Sequence, residues 1–313
     1  MLGYYIDEEW DGKYHEIKVK VNRPGCEVHA QRGFFNPKPF SQYTKLEKML
    51  HLVDLALSEK PLFQTPVRFP LMALPCSIKG KPNISLFSKI PSEKIRELSE
   101  KDVEIVSIIF DKDNNIAKME RDGIDFSRLP KDDVFYSSLV SLGPGDYKCR
   151  LVIRNLETGR GAVASTSITV PRPPDSGLKL YPPLFLKPEK GVFYVKAPAV
   201  AYPFDLSRYC PVIEDVDQGT RSLLAFLRCS YSGIQRPEVK LYANLIHHLT
   251  GTGIKIPISI SIIMKYQQEK AEEFLVELQT GALQPGEYFL HFFAEDTNTK
   301  SFSQVSTAFT VKK

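Results

Sequence analysis

The feature that most constrains how this chain can fold is an internal repeat. Residues 142–147 read LGPGDY and residues 283–288 read LQPGEY, an offset of 141 positions (283 − 142 = 141). The correspondence runs without a gap to the end of each unit. A weaker echo lies upstream, where LPCS at 74–77 resembles LRCS at 227–230. Self-similarity of this kind predicts one folding unit that is used twice.

The repeated motif predicts a tight turn followed by a strand. Its turn and strand residues are Pro144, Gly145 and Tyr147 in the first copy, and Pro285, Gly286 and Tyr288 in the second. In immunoglobulin-like sandwiches, a tyrosine at the start of the penultimate strand bonds back to the backbone and forms a tyrosine corner. After Tyr147, apolar Cys149, Leu151 and Ile153 alternate with mostly polar residues, as in a half-buried strand. We therefore favour a sandwich over a closed barrel, which uses similar hairpins.

The distribution of turn residues divides the chain. The 23 prolines and 18 glycines of its 313 residues cluster between short β-rich runs, which is typical of many strands joined by turns. We expect a mainly all-β chain of two tandem immunoglobulin-like β-sandwiches, preceded by a β-hairpin and one linker helix. The expected limits are 1–36 for the hairpin, 37–64 for the helix, 65–171 for the first sandwich and 178–313 for the second.

The first sixty residues predict a hairpin and a helix. Residues 15–21 alternate between apolar and polar, and residues 26–31 are expected to run back after the turn at 23–25. In the following segment, Thr44 and Glu47 have the spacing of a helix capping box. An apolar row at helical spacing is expected to face the core, and it consists of Leu46, Met49, Leu50, Val53 and Leu57.

Part of this N-terminal region resembles a known family. The segments LGYY (2–5), DGKYHEIKVKV (11–21), RPG (23–25) and RGFF (32–35) are similar to the closing segment of bacterial von Willebrand factor A-related proteins. The resemblance implies that an A-type domain precedes the segment and that the protein is exported. The metal-ion-dependent adhesion motif of that family belongs to the A domain, so the resemblance carries no metal site here. The opening of the chain has no signal-peptide pattern.

Charge and hydropathy bound the partners. The formal net charge of +4 is the small difference between 41 basic and 37 acidic residues, which does not favour nucleic acid as a partner. No run of about 18 apolar residues predicts a membrane span.

The residues that could carry chemistry have weak patterns. Residues 111–115 (DKDNN) begin like a calcium loop, but Ile116 stands where glycine is needed, so a polar hairpin turn is favoured. His247-His248 lacks a third ligand nearby, and the five cysteines show no C-x-x-C spacing, so we expect no metal site and no cofactor. Neither Ser127, in the segment 125–127, nor the cysteines have a histidine partner at a suggestive position, so we do not expect an enzyme.

Two of the cysteines allow a disulfide. Cys149 lies two residues after Tyr147, which is the position of the second cysteine in immunoglobulin domains. Cys76 is expected on an early strand that faces it across the core, so that both side chains point inward. The alternative is a pair of buried thiols that act as small apolar side chains.

Two functional interpretations remain from the sequence. The first is a non-enzymatic interaction or structural module of an extracytoplasmic protein, which binds or presents protein or glycan partners. The alternative is an accessory region of a surface or carbohydrate-active enzyme. The reading frame upstream would discriminate between them, since an A-type domain supports the first interpretation and a hydrolase domain the second.

Overall fold

The structure covers most of the chain. The computed structural model describes residues 11–25, 27, 29–57, 68–98, 102–124, 129–198, 202–249, 252–256 and 258–313. Several expectations therefore fall outside the described residues: the segment at 2–5, Cys26 and the boundary at residue 65.

The N-terminal hairpin is shorter than its sequence predicts. Strand β1 (Tyr14–Glu16) pairs antiparallel with β2 (Gly33–Phe35). The predicted pairing of 15–21 with 26–31 is wrong, because the alternating run beyond residue 17 forms no ladder and leaves Val19 exposed. A two-stranded ribbon without a covering sheet gains too little burial to hold a long ladder.

Helix α1 (Lys45–Leu57) begins at the predicted capping box. The backbone N–H of Glu47 donates to the Thr44 hydroxyl at 3.2 Å, and the N–H of Thr44 donates to the Glu47 carboxylate at 2.6 Å. This backbone hydrogen bond, with that from Lys38, lowers the pKa of Glu47 to about 2. The helix start could therefore be located from the sequence alone.

The buried face of α1 is not the predicted one. Leu46, Met49 and Leu50 are exposed, whereas Leu52, Leu55 and Ala56 are buried. The helix has apolar residues on two sides. The side with Leu52, Leu55 and Ala56 packs on the underlying sheet, and the side with Leu46 and Leu50 faces solvent.

Thr44→Ala is expected to lower the free energy of unfolding by about 1 kcal/mol, because it removes the acceptor for an otherwise unpaired N–H of the first turn. Thr44→Ser keeps that oxygen and should stay close to wild type. Chemical denaturation of the three proteins measures the difference. Equal stability of the alanine and serine variants would contradict a role for the cap.

Within the described part of the chain, seven strands build the first sandwich. They are β3 (Leu71–Ile78), β4 (Lys81–Ile90), β5 (Val103–Asp111), β6 (Ile116–Gly123), β7 (Val134–Ser141), β8 (Gly145–Asn155) and β9 (Gly161–Val170). One sheet has the order β7-β4-β3, and the other has the order β6-β5-β8-β9. A short helix, α2 (Ser92–Leu98), connects β4 to β5. This is the two-sheet arrangement of an immunoglobulin-like fold, as predicted.

The second sandwich repeats this arrangement with additional strands. The described strands of this part of the chain are β10 (Leu178–Leu180), β11 (Leu184–Pro188), β12 (Tyr194–Lys196), β13 (Tyr209–Pro211), β14 (Val216–Asp217), β15 (Ser222–Tyr231), β16 (Val239–Leu249), β17 (Thr252–Ile256), β18 (Ile260–Gln268), β19 (Ala271–Gln279), β20 (Gly286–Asp296) and β21 (Phe302–Lys312), and all of them except β12 belong to the second sandwich. One sheet runs β13-β11-β15-β19-β18 with β10 also on β15, and the other runs β14-β21-β20-β16-β17.

The two sandwiches pack face to face. Phe87 on β4 shares one buried cluster with Leu224 and Phe226 on β15 and Leu275 on β19. The alternate residues of β15, such as Leu223, face the core of the second sandwich instead. The outer face of the β7-β4-β3 sheet therefore lies against the outer face of the β11-β15-β19 sheet, and both sheets are covered on both sides.

Strand β12 ties the two units together. It belongs in sequence to the second unit, yet it pairs parallel to β7 of the first. Lys196 on β12 contacts the carboxylates of Glu120 at 2.9 Å and Asp122 at 2.8 Å, both on β6. The domain limits 65–171 and 178–313 stay predictions, and β12 crosses between the two sandwiches.

No helix among the described residues is long and apolar enough to cross a membrane.

Candidate functional site

The two repeated tyrosines occupy equivalent positions. The hydroxyl of Tyr147 donates to the carbonyl of Gly143 at 3.1 Å, and the hydroxyl of Tyr288 donates to the carbonyl of Gln284 at 2.7 Å. Each tyrosine is the third residue of its strand, β8 or β20, and each strand lies between its counterparts in the sheet. The tyrosine corner inferred from the repeat is thus present in both sandwiches. Its role is structural.

The glycines of the repeated turn share a backbone conformation but differ in their surroundings. Gly145 and Gly286 both have φ of 154°, which favours glycine. A Cβ at Gly145 would meet Tyr147 at an ordinary 3.6 Å. A Cβ at Gly286 would collide with the ring of His247, which is stacked on Tyr288 with centroids 4.4 Å apart.

Gly286→Ala should therefore destabilise the chain more than Gly145→Ala does. Both variants carry the same backbone strain, so the difference isolates the collision with His247, expected at about 1–3 kcal/mol. Thermal and denaturant unfolding of the two variants measure it. Equal losses would show that the His247 ring does not constrain this turn.

The predicted Cys76–Cys149 disulfide is not formed, and both residues are free thiols. Cys149 lies in the core of the first sandwich beside Ile84 and Val140. Cys76 points the opposite way, out of that core, and lines a small cavity with Arg228 of the second sandwich. The expectation that both side chains point inward was wrong by one residue of strand register, since neighbouring strand residues face opposite sides.

The upstream similarity between LPCS and LRCS has a different outcome from that of the repeated turn. LPCS at 74–77 lies on the edge strand β3, whereas LRCS at 227–230 lies on the inner strand β15. The two segments are therefore not equivalent.

The cavity beside Cys76 is a packed interface rather than an active site. Its volume is about 20 Å³, which leaves room for a single water. The Cys76 thiol contacts the Ser85 hydroxyl at 3.6 Å, and burial raises the pKa of this thiol. A neutral buried thiol is a poor nucleophile.

A buried ion pair lies at the centre of that interface. Arg228 Nε donates to the Glu273 carboxylate at 2.7 Å, directly across β15 and β19, and both side chains are buried. The Arg228 guanidinium also lies 5.0 Å from the ring of Tyr202 and 4.8 Å from that of Phe226. This arginine therefore stabilises the contact between the two sandwiches, and no pattern in the sequence marked it.

A second buried arginine attaches α1 to the first sandwich. Arg154 on β8 donates to the Glu104 carboxylate at 2.9 Å and to the carbonyl of Lys48 in α1 at 2.8 Å. Its guanidinium lies 5.4 Å from the ring of Phe40, just before the helix. The residue is 1% exposed, so the charge depends on these partners.

His51 makes this attachment sensitive to pH. Burial and, next, the charge of Arg154 lower the pKa of this histidine below its ordinary value of 6.5. The unfolded chain takes up a proton near pH 6.5, whereas the folded chain resists it. The contribution of neutral His51 to the stability of the folded chain is therefore fully present above pH 6.5 and decreases as the pH falls below 6.5.

Among the residues that the structure describes, none covers one sheet face of the second sandwich. Outward-facing residues of β16, β20 and β21 form it, and we call this surface the open face. It includes Tyr242, Ile246, Phe289, Phe293 and Phe302 together with polar Asn244, His291 and Ser306. Tyr242 is 49% exposed and Phe302 is 57% exposed. Exposed aromatic patches on soluble proteins mark sites of interaction.

The equivalent face of the first sandwich is covered. Leu52 and Leu55 of α1 pack on Val106, Ile108 and other outward residues of β5 and β8. The two copies therefore share a fold but differ in what lies on this sheet. The alternation of β20, visible in the sequence, was enough to locate its outward residues. It did not show that the two copies differ in cover.

A cleft adjoins the open face. Its volume is about 880 Å³, and it lies between the linker at 176–178, the loop after β15 and the turn between β20 and β21. Ile234 in this loop is fully exposed, and Phe302 lines both the cleft and the open face. In immunoglobulin-like folds, such loops at one end of the sandwich are common binding elements.

Asp296 holds the loops of the cleft. Its carboxylate accepts the N–H of Glu238 at 3.0 Å and the hydroxyl of Thr299 at 2.5 Å. Burial works to raise the pKa of Asp296, but these hydrogen bonds outweigh it, so the pKa is lowered. The carboxylate accepts hydrogen bonds from the loops of the cleft, so its role is to hold these loops in place.

The other candidate residues also have structural roles. Asp111 accepts the backbone N–H groups of Asp113 and Asn115, both at 2.9 Å, which makes residues 111–115 a hairpin turn as predicted. His247 is buried against Tyr288, and the side chain of His248 lies outside the described residues. The described residues contain no group of three or more side chains suited to hold a metal ion.

The solved structures that resemble this chain are remote from it in sequence. No family model and no curated protein matches the sequence. Solved structures that resemble it include a protein described as membrane anchored from Corynebacterium diphtheriae, with 12% identity and a TM-score of 0.25, covering 78% of this chain and 59% of that one. The chain thus spans about three fifths of that protein.

Two further solved structures resemble the chain to a similar degree. Fibronectin(III)-like modules of CbhA from Clostridium thermocellum have 12% identity and a TM-score of 0.21, covering 74% of this chain and 86% of theirs. The C-terminal domain of the antigen I/II-family protein AspA from Streptococcus pyogenes has 9% identity and a TM-score of 0.23, covering 78% of this chain and 99% of its own. The β-sandwich fold of this chain is given by the strand pairing described above.

Proposed function

We propose that this chain is a non-catalytic interaction module of a bacterial surface or exported protein, which binds a protein or glycan partner through the second sandwich. The observation that carries the proposal is the open face. Its counterpart in the first sandwich is covered by α1, whereas the second sandwich exposes Tyr242, Phe289 and Phe302 there. A surface of this kind next to a large cleft is the default site of interaction.

We also propose that this chain is part of a von Willebrand factor A-related protein. The resemblance of residues 11–35 supports it, together with the apolar row of α1 that stays exposed at Leu46, Met49 and Leu50. These side chains form a surface that a further domain of the protein would cover. An A-type domain in the reading frame upstream supports this assignment, and a hydrolase domain there would favour the accessory region of an enzyme.

Binding of the intact chain to an array of both proteins and polysaccharides tests the module. We expect saturable binding to at least one probe, abolished or strongly weakened in the double variant Tyr242→Ala/Phe293→Ala. The control is Phe35→Ala, which removes an exposed ring from β2, a strand of a separate sheet that is not part of the open face. Binding that survives the double variant, or no binding to any probe, would contradict the proposal.

A further inference from the structure

The side chains of the open face are arranged in rows across the sheet. Each row holds one residue from β16, one from β20 and one from β21, fixed by the strand register. Along β16 the rows are Tyr242–Phe293–Gln304, Asn244–His291–Ser306 and Ile246–Phe289–Ala308. Successive rows lie about 7 Å apart, since every second residue of a strand points to one side. Rows with aromatic rings thus flank a polar row.

The polar row provides hydrogen-bonding groups between the rings. The His291 Nδ1 and the Ser306 hydroxyl are 2.6 Å apart, which fixes the imidazole on the sheet. The Asn244 amide, opposite His291, can both donate and accept hydrogen bonds. A ligand on this face meets apolar ring surfaces and, between them, groups that bind hydroxyls.

Charges of both signs lie on and beside the face, two lysines (Lys240 and Lys300) and two glutamates (Glu287 and Glu295). Lys240 lies directly across from Glu295, and Lys300 approaches the same carboxylate at 3.8 Å. A face with paired charges matches an uncharged ligand, whereas nucleic acid or an acidic polymer would need an excess of positive charge.

The dimensions of the face favour a narrow ligand. Three strands of 11 residues each form it, β16, β20 and β21. With about 3.4 Å per residue and 4.8 Å between strands, the area is about 500 Å². A stable protein interface uses about 800 Å² of each partner. The open face alone, without the adjoining cleft, is therefore smaller than a standard protein interface, and it is sufficient for an extended polymer.

We propose that the open face binds a neutral glycan chain. Its sugar rings stack their C–H faces on Tyr242, Phe293 and Phe289, since aromatic rings offer large apolar surfaces at low entropic cost. Hydroxyl groups of the sugar between these rings bind the polar row, chiefly Asn244 and His291. This inference rests on the proposed function and narrows its partner to one chemical class.

Isothermal titration of the full chain with neutral hexasaccharides of glucose, xylose, mannose and galactose tests the inference. We expect at least one of them to bind. Tyr242→Ala and Phe289→Ala should each weaken binding about tenfold or more. Phe35→Ala and Ile116→Ala, which remove exposed apolar side chains elsewhere, should leave affinity unchanged. Unfolding curves of every variant confirm that the fold is retained.

The possible outcomes separate this inference from the broader proposal. Binding of a neutral glycan that depends on the rings supports both. If the rings are needed to bind a protein probe alone, or an acidic polysaccharide alone, the assignment of a neutral glycan as the ligand is overturned. The proposal of an interaction module then still holds. Dimerisation in solution that Tyr242→Ala abolishes overturns the assignment of a neutral glycan as well, since a second copy is then the occupant. Absence of any binding to protein or glycan overturns both.

Discussion

Arg228→Ala is expected to lower the free energy of unfolding by about 3–5 kcal/mol, because it leaves the buried carboxylate of Glu273 without its ionic partner. Both side chains are almost fully buried between the two sandwiches, 5% and 0% exposed, and the guanidinium also covers the rings of Tyr202 and Phe226. Denaturant unfolding followed by far-ultraviolet circular dichroism measures the loss.

Two controls separate the buried charge from general effects of losing an arginine. Arg208→Ala removes an exposed partner of Asp205 and should cost less than about 1 kcal/mol. The pair Arg228→Met/Glu273→Leu removes both buried charges and should recover most of the stability, because an apolar pair needs no ionic partner. A single variant as stable as Arg208→Ala would contradict the buried position of Arg228.

Arg154→Ala is expected to have an effect of similar size, about 3–5 kcal/mol, for the same physical reason. It removes the Arg154 guanidinium from the buried carboxylate of Glu104. It also removes the hydrogen bond that joins β8 to the carbonyl of Lys48 in α1. Unlike Arg228→Ala, it should loosen the helix selectively. Hydrogen exchange should therefore increase first in residues 45–57, before the strands of the second sandwich respond.

The readout in the helix makes this prediction specific. Lys94→Ala, which removes an exposed partner of Glu97 in α2, should change neither stability nor exchange in α1 appreciably. Arg154→Met/Glu104→Leu should restore stability while the contact with Lys48 stays lost. If Arg154→Ala raised exchange evenly along the chain, Arg154 would not serve to attach the helix.

The repeated half of the fold followed from local chemistry. The turn before Tyr147 and Tyr288 needs a glycine, and the tyrosine needs a nearby carbonyl, so both are visible in neighbouring residues. The helix cap at Thr44 and Glu47 is local in the same sense. Each of these predictions depended on residues no more than four positions apart.

The features that could not be predicted from the sequence depend on which element packs against a given surface. Cys76 faces the second sandwich rather than Cys149, and nothing in the sequence of β3 distinguishes the face that packs on the core from the face that packs on the second sandwich. The same ambiguity misplaced the buried side of α1, where Leu50 and Leu52 are equally apolar. The open face could not be separated from its covered counterpart, because the cover comes from α1, about 50 residues before the sheet that it covers.

The face-to-face packing of the two sandwiches is tested most directly by the reactivity of Cys76. This thiol lies on the outer face of the first sandwich, where only the second sandwich shields it from solvent among the described residues. Cys149 and Cys229, each in a sandwich core, provide internal references. The measurement is maleimide labelling of the native chain at pH 8, located by peptide mass spectrometry.

Burial raises the pKa of Cys76, and it raises those of Cys149 and Cys229 to about 12, so all three thiols should resist the reagent in the folded chain. Face-to-face packing predicts that Cys76 is labelled as slowly as Cys149 and Cys229, and that all three react together on unfolding. Rapid labelling of Cys76 while Cys149 and Cys229 stay protected would show that the two sandwiches do not cover each other.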